Sequence, residues 1–429
     1  MRKIWICCLL AIVPLTLVRA QRPRSSSAKA LPNAPERRDA RELYTPLVAA
    51  NNRFAVKFFK AAYAHSPREN VLTAPASMSY SFALLLNGAQ GEGRDQIADL
   101  FNLKGLSIAQ INEGNAALRD LRKSYVLGKS ERRFGPLTDP DGRSFQPYTL
   151  AGALWVRKGN FTHAFLERNR ESYGYTVFPR RPTVSEVNRW ASSTTHGKVN
   201  KVVDDLKDDG FALATLVHFK SKWVIPFLPS DTHPADFTLL SGEKKQVQMM
   251  PRHDPDFIYL KGPHFQAVRL NFFDAAMFIV LPDEDSSLQA FVDTLNPDIW
   301  QSWNSQFGPH EGYLELPRFE IKSERNSKEV LQEMRLTLPF SDFSTFIPMV
   351  GLPGGAKLTR VQESADMKVD ETGAEIIFTG VVGGVPGGVC GNCPPPPPPF
   401  HMIVNRPFFF WIVDTRTDQV LHMGSVVEP

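Results

Sequence analysis

Two cysteines are the first place in this chain to look for chemistry. Cys390-Gly391-Asn392-Cys393 is a C-x-x-C, a spacing that suits a dithiol redox couple, half of a zinc site, or a local disulfide. A reactive thiolate needs an electropositive setting such as a helix N-terminus. Here the pair is preceded by Gly-Val-Val-Gly-Gly-Val-Pro-Gly-Gly-Val and followed by six prolines, Pro394–Pro399. A zinc site needs a second ligand pair, and no Cys or His pair at that spacing stands nearby. A disulfide that stiffens the segment is therefore the favoured reading. The ten His are scattered, with no H-E-x-x-H, and the chain has no G-x-S-x-G and no P-loop. His218 sits in a buried-strand pattern and reads as a core residue. Asp139-Pro140-Asp141-Gly142 lacks the downstream Glu of a calcium loop and reads as a turn. Asn160-Phe161-Thr162 has the pattern of a glycosylation acceptor. No metal, no cofactor and no enzymatic activity are expected.

The segment that carries the cysteines is itself the anomaly. Glycine makes residues 380–389 permissive, and consecutive proline makes 394–399 a stiff rod without main-chain donors. Neither half can be core, so the stretch must be an exposed loop, and long loops on compact domains usually carry function.

The flanking elements must position that loop. Apolar residues recur with helical spacing from Leu47 through Phe54, Phe58 and Ala62. A helix is predicted from Pro75, carrying Met78, Phe82, Leu85 and Leu86 and stopping at Gly88, and another from Asp95 to Leu103. Strand-like runs follow at Thr149–Val156, Ala212–Phe219, Phe257–Leu260, Ala267–Leu270, Met277–Leu281 and Gly312–Leu316. Helices interrupt them at about 164–172, 184–194, 287–294 and 327–333. Phe408–Val413 and Val420–Val427 read as a strand pair around Thr415-Arg416-Thr417-Asp418. This irregular mixture argues an α+β fold.

Composition is that of a globular protein: 429 residues, 42% hydrophobic and 22% charged. Arg2 and Lys3, the apolar run Ile4–Val18 and the small-residue site at Val18-Arg19-Ala20 predict a secretory signal over 1–20, hence a secreted, extracellular or periplasmic protein. The signal's three basic residues take the formal charge from +4 down to +1, which leaves no global electrostatic case for nucleic acid. No later stretch is long and apolar enough for a membrane span. Residues 21–42 read as a disordered basic tail, and 43–429 as the folded domain. The mature chain keeps only Cys390 and Cys393, in an oxidising compartment.

Over nearly all of 46–429 the sequence resembles the serpins. The resemblance rests on motifs in order: Asn70-Val71 through Pro75-Ala76-Ser77; Asn87-Gly88-Ala89-Gln90-Gly91; Asn188-Arg189-Trp190 with Thr195-His196-Gly197-Lys198-Val199; Phe219-Lys220-Ser221-Lys222-Trp223 with Pro226-Phe227; Leu316-Pro317-Arg318-Phe319; Asp370-Glu371-Thr372-Gly373-Ala374-Glu375; Asn405-Arg406-Pro407-Phe408; and Met423-Gly424-Ser425-Val426-Val427. It implies three β-sheets, about nine α-helices, and a reactive-centre loop over 371–400. It also implies a mechanism: an endopeptidase attacks the loop, an acyl-enzyme forms, and the cut loop enters the main sheet as a new strand. The resemblance places the hinge at Glu371, Thr372, Gly373, Ala374, Glu375, Ile376, Ile377 and Phe378. The family's usual fourteen-residue count from Gly373 puts the scissile bond at Gly387–Gly388, with Val385, Val389 and Cys390 as rivals.

The chain departs from the family's inhibitors in two places. The hinge is usually small, mostly Ala, whereas Ile376, Ile377 and Phe378 are bulky. Overpacking costs roughly 1–3 kcal/mol per site, and about 1.4 kcal/mol in a barrier is tenfold in rate, so insertion is expected to slow. Ile and Phe are also good strand formers, which argues the other way. In the sheet-opening region Ala74, Thr215 and Glu363 stand where inhibitors carry a bonded Ser, Asn and His, while Ser77 and Trp223 are retained. No Arg or Lys lies in 376–400, so the expected partner is an endopeptidase preferring small apolar residues, met by a monomer. The alternative is a non-inhibitory binding protein that docks a partner through its proline-rich loop.

Overall fold

The computed structural model describes residues 39–123, 148–374 and 398–429, apart from short gaps at 157–159, 179, 195–196, 198–199, 202, 204, 207–210, 220, 273–274, 299–301 and 304. The expected signal, most of the expected tail and the Cys pair lie outside the described residues.

Helix Ala40–His65 opens the fold, earlier than its apolar pattern suggested. The Asp39 side chain accepts from the Arg41 N–H and caps it, and Tyr44, Leu47, Phe54, Phe58 and Tyr63 turn into the core. Helix Pro75–Leu86 is buried along its whole length. Pro75 suits its first turn, where a missing N–H costs nothing. The next helix runs Gly91–Leu100 rather than 95–103, because Phe101 leaves helical geometry and Asn102 takes a left-handed φ of 54°. Helix Ile108–Lys123 went unforeseen. Its breaker, Gly114, is there for packing: a Cβ would stand 2.8 Å from the Leu43 carbonyl oxygen of the first helix. The helix expected over 164–172 ends at Arg168 and continues as a π-turn, Asn169–Tyr173. Helix Val184–Thr194 lies where expected. Among the described residues there are ten α-helices against the nine or so expected.

The strands form three sheets, as the resemblance implied. The main sheet runs in the order 176–177, 148–156, 211–219, 358–369, with 319–326 on the far side of 358–369 and the short pieces 373–374 and 221–222 at one end. The second sheet pairs 233–238 and 308–317 with strand Lys244–Lys261, and 400–403 with 308–317. That 18-residue strand reaches well beyond the expected 257–260, and its last residues cross into the third, rear sheet. There the order is 265–271, 275–282, 408–414, 420–426, 71–73. Helix Pro75–Leu86 touches both 211–219 and 420–426, so its apolar sequence fills the layer between main and rear sheets.

Candidate functional site

Strands 211–219 and 358–369 are neighbours over only part of their length. They pair in parallel from Phe211 with Leu358 to Leu216 with Ser364, with a register irregularity between Leu358 and Val361. Past that point the pair is wedged apart. Gly373-Ala374 lies between them, antiparallel to both flanking strands: Ala374 sits opposite Val369 on one side and Ser221 on the other, and Gly373 opposite Lys222. Two residues of the expected hinge therefore already occupy the slot. Gly373 is required by close approach, since a Cβ would meet the Ser221 carbonyl oxygen at 2.3 Å and Lys222 Cα at 2.7 Å. Ala374 is buried in the core shared with Met367, Val369 and Trp223.

The turn before these residues is held on every side. The Asp370 carboxylate accepts from the Thr372 N–H (2.9 Å) and hydroxyl (2.7 Å), an Asx turn. Trp223 closes the turn from the neighbouring strand. Its Nε1 donates to the Asp370 carbonyl at 2.9 Å, its N–H donates to the Thr372 carbonyl, and its ring stacks on Phe272 at 4.2 Å. The Phe227 N–H donates to the Glu371 carbonyl.

Glu371 itself points inward and is buried. Arg318 Nε donates to both its carboxylate oxygens (2.8 and 3.0 Å), Arg318 Nη2 donates to Oε1 at 2.5 Å, and so does the Thr232 hydroxyl. Burial pushes the carboxyl up, but the hydrogen bonds from Arg318 and Thr232 outweigh it and hold Glu371 below the usual carboxylate range. Sequence reasoning had Arg318 only as part of a motif and did not see this clamp. No local signal in the sequence pairs the two, since Glu371 stands among polar neighbours, Asp370 and Thr372.

The sheet-opening residues fall along the zipped part. Thr215 is buried and pairs with Glu363 across the closed strands. Of Glu363 only the main-chain pairing is described. Ala74 ends the turn into helix Pro75–Leu86. The buried Ser77 hydroxyl donates back to the Ala74 carbonyl at 3.1 Å, and Ser81 donates to the Ser77 carbonyl and meets the Tyr175 hydroxyl at 2.8 Å. The Ser77 hydroxyl is thus engaged within its own helix. Glu375, Ile376, Ile377, Phe378, Gly387, Gly388, Cys390 and Cys393 lie outside the described residues.

A main sheet whose central gap is zipped at one end and held by a hinge at the other is the architecture of one class of protein. The family model described as "Serpin (serine protease inhibitor)" matches residues 49–429. The chain belongs to the serpin family, whose members are mostly protease inhibitors and generally not catalytic enzymes. It is 27% identical to the rat (Rattus norvegicus) protein "Alpha-1-antiproteinase", over 88% of this chain and 87% of that one. The native structure of tengpin, a thermophilic serpin, superposes with a TM-score of 0.73 at 20% identity, covering 94% of this chain and 98% of that one. Human thyroxine-binding globulin gives a TM-score of 0.73 at 21% identity, covering 90% and 99%. Among the described residues no helix is long and apolar enough to cross a membrane.

Proposed function

We propose that this serpin is a secreted suicide-substrate inhibitor of serine endopeptidases that favour small apolar residues, and that it works as a monomer after loss of residues 1–20. One observation carries the reading. Val369 and Ser221, the two neighbours of Ala374, stand the same number of residues apart as the closed pair Glu363 and Thr215. A strand entering behind Ala374 therefore meets two edges already in register, and no sliding is needed over that stretch.

Extending the register by arithmetic sets Ile376 beside Met367 and Phe219, Phe378 beside Ala365 and Val217, and Gly380 beside Glu363 and Thr215. The slot runs out at Phe211 and Leu358, opposite Gly384 and Val385. Pro386, which a central strand tolerates poorly, falls just past the last rung. Cleavage at Gly387–Gly388 fits that length. By the same count a Cys390–Cys393 disulfide would fall beyond the slot and would leave insertion unhindered.

The same register also supports the second reading. Ile376 falls against Phe219, which already packs on Phe272, so entry begins with a crowded step and a cleaved loop that inserts too slowly releases its protease. Mixing the protein with an elastase-like protease and running a denaturing gel decides between the two. A covalent complex is expected; cleavage without complex, at any enzyme ratio, leaves a non-inhibitory binding protein with its proline-rich loop as the docking segment.

A further inference from the structure

Behind the slot, an imidazole lies in the seam between main and rear sheets. His422 is on strand 420–426, opposite Ile412, and is 4% exposed. Neither ring nitrogen makes a hydrogen bond of good geometry. Its lid is two aromatic rings of the main sheet, Tyr148 at 6.2 Å and Phe219 at 6.1 Å. The Tyr148 hydroxyl is enclosed there too, and likewise makes no hydrogen bond. An unpaired buried imidazole contributes nothing obvious to packing that a Phe or Leu would not do better.

Among the described residues, the groups facing it offer no counter-charge. Strand 71–73 brings Thr73, whose hydroxyl is spent on the Met423 carbonyl. Helix Pro75–Leu86 contains no charged residue, and its Tyr80 hydroxyl donates to the Ser172 and Tyr173 carbonyls. Strand 408–414 presents Ile412, while Asp414 at its end is paired with Arg416. Among the described side chains, a cation lies on the outer part of the lid: the Arg122 guanidinium, 5.4 Å from the Tyr148 ring centroid. Burial pushes the His422 imidazole down to about 4, against a weaker upward pull from the Thr73 main chain, and burial pushes the Tyr148 phenol up to about 12.

Phe219 is the link to the slot. It is the last residue of strand 211–219, which must separate from 358–369 for a strand to enter. On the insertion reading, moving that strand would lift Phe219 from the imidazole and admit water. We propose that His422 is a proton-operated release for the main sheet: an imidazolium, intolerable under the closed lid, is stabilised once the lid lifts, so mild acid speeds sheet opening. The proposal rests on the insertion reading above.

The sign follows from linkage. The group is neutral in the closed sheet and titrates near its ordinary 6.5 when wetted. Between about pH 6.5 and about pH 4 each unit of acidification favours the open form, by up to tenfold. Glu371 titrates below its ordinary range and Tyr148 far above neutral, and variants at His422 separate its share of this window from that of the chain's other histidines.

The test uses the full chain and its variants His422→Phe and His422→Gln, the second in case the first folds poorly. The rate of conversion to a heat-resistant, loop-inserted form is measured at intervals from about pH 7.5 to about pH 5. A rate in the parent that is level above about pH 6.5 and climbs below it by up to tenfold per unit, more steeply than in the variants, is expected. An equal slope in parent and variants overturns the proposal while leaving insertion intact. If protease cleavage of the parent's loop yields no heat-resistant form at any pH, insertion itself fails, and the inhibitor reading and the proton release fall together.

Discussion

The two ends of the slot are built from different materials. At the lower end, Phe211–Leu216 and Leu358–Ser364 are joined by main-chain rungs, with the Thr359 hydroxyl adding a hydrogen bond to the Phe211 carbonyl at 3.2 Å. At the upper end those strands are replaced by a pinned turn, with a Trp hydrogen bond, an Asx turn and a Glu–Arg–Thr clamp all gathered on the three residues Asp370, Glu371 and Thr372. Main-chain rungs are interchangeable and can be exchanged for rungs to an entering strand. Side-chain clamps are not. On the proposed insertion mechanism, the upper end would fix where entry starts, and the lower end would be what entry consumes.

The largest expected effect comes from widening the path between these ends. Ile376→Ala together with Phe378→Ala should quicken insertion by about 30-fold or more, taking roughly 1–3 kcal/mol of overpacking per site; stoichiometry of inhibition is the readout, and an unchanged value removes hinge bulk as the brake. Gly373→Val attacks the seat instead. Its Cβ must displace the main chain of Ser221 and Lys222, at a cost of about 3 kcal/mol, read as a lower denaturant midpoint with a loop more open to non-target proteases.

Next come the two halves of the clamp, which should differ. Arg318→Ala strands a buried carboxylate and should cost about 2 kcal/mol, allowing for solvent at the half-exposed guanidinium. Glu371→Ala leaves an arginine that can reach water and should cost about 1 kcal/mol or less. Equal losses in denaturant titrations would mean the pair is screened. Trp223→Phe keeps the stack on Phe272 and drops the bond to Asp370, about 1 kcal/mol.

The smallest effect is acid on Glu371. Its folded carboxyl titrates below the ordinary value of 4.5. The clamp's stability is therefore complete above that value and fades as pH falls from there through the lower, folded one. Glu371→Gln should flatten stability against pH in that window alone, leaving any slope nearer neutrality unchanged.

What the sequence disclosed and what it hid divide along the same line. The hinge, Trp223 and the strand 211–219 were legible because Gly373, a lone Trp and an apolar run each carry a strong local signal. Strand 358–369, the other edge of the slot, was missed. Its inward row does alternate, through Val361, Met367 and Val369, but Glu363 and Ala365 interrupt it and Arg360, Gln362, Ser364, Asp366 and Lys368 fill the other. Period-2 reasoning needs an apolar row, and this edge has polar and small residues where it borders the gap. The Arg318–Glu371 clamp joins residues 53 apart in sequence, and no local pattern announces a partner at that distance. His422 hid for the opposite reason. It sits in a run of Val420, Leu421 and Met423 that reads as core whatever its fourth member is.

The equal spacing of the two slot edges has a mechanical consequence. Each edge gives up one partner and acquires one, so every ladder bond broken between the strands returns as two to the newcomer. Nothing in that exchange rewards backing out. On the proposed insertion mechanism, bulk along the newcomer would delay the traffic more than it would change its direction, and the device would be in effect a ratchet whose teeth are peptide groups.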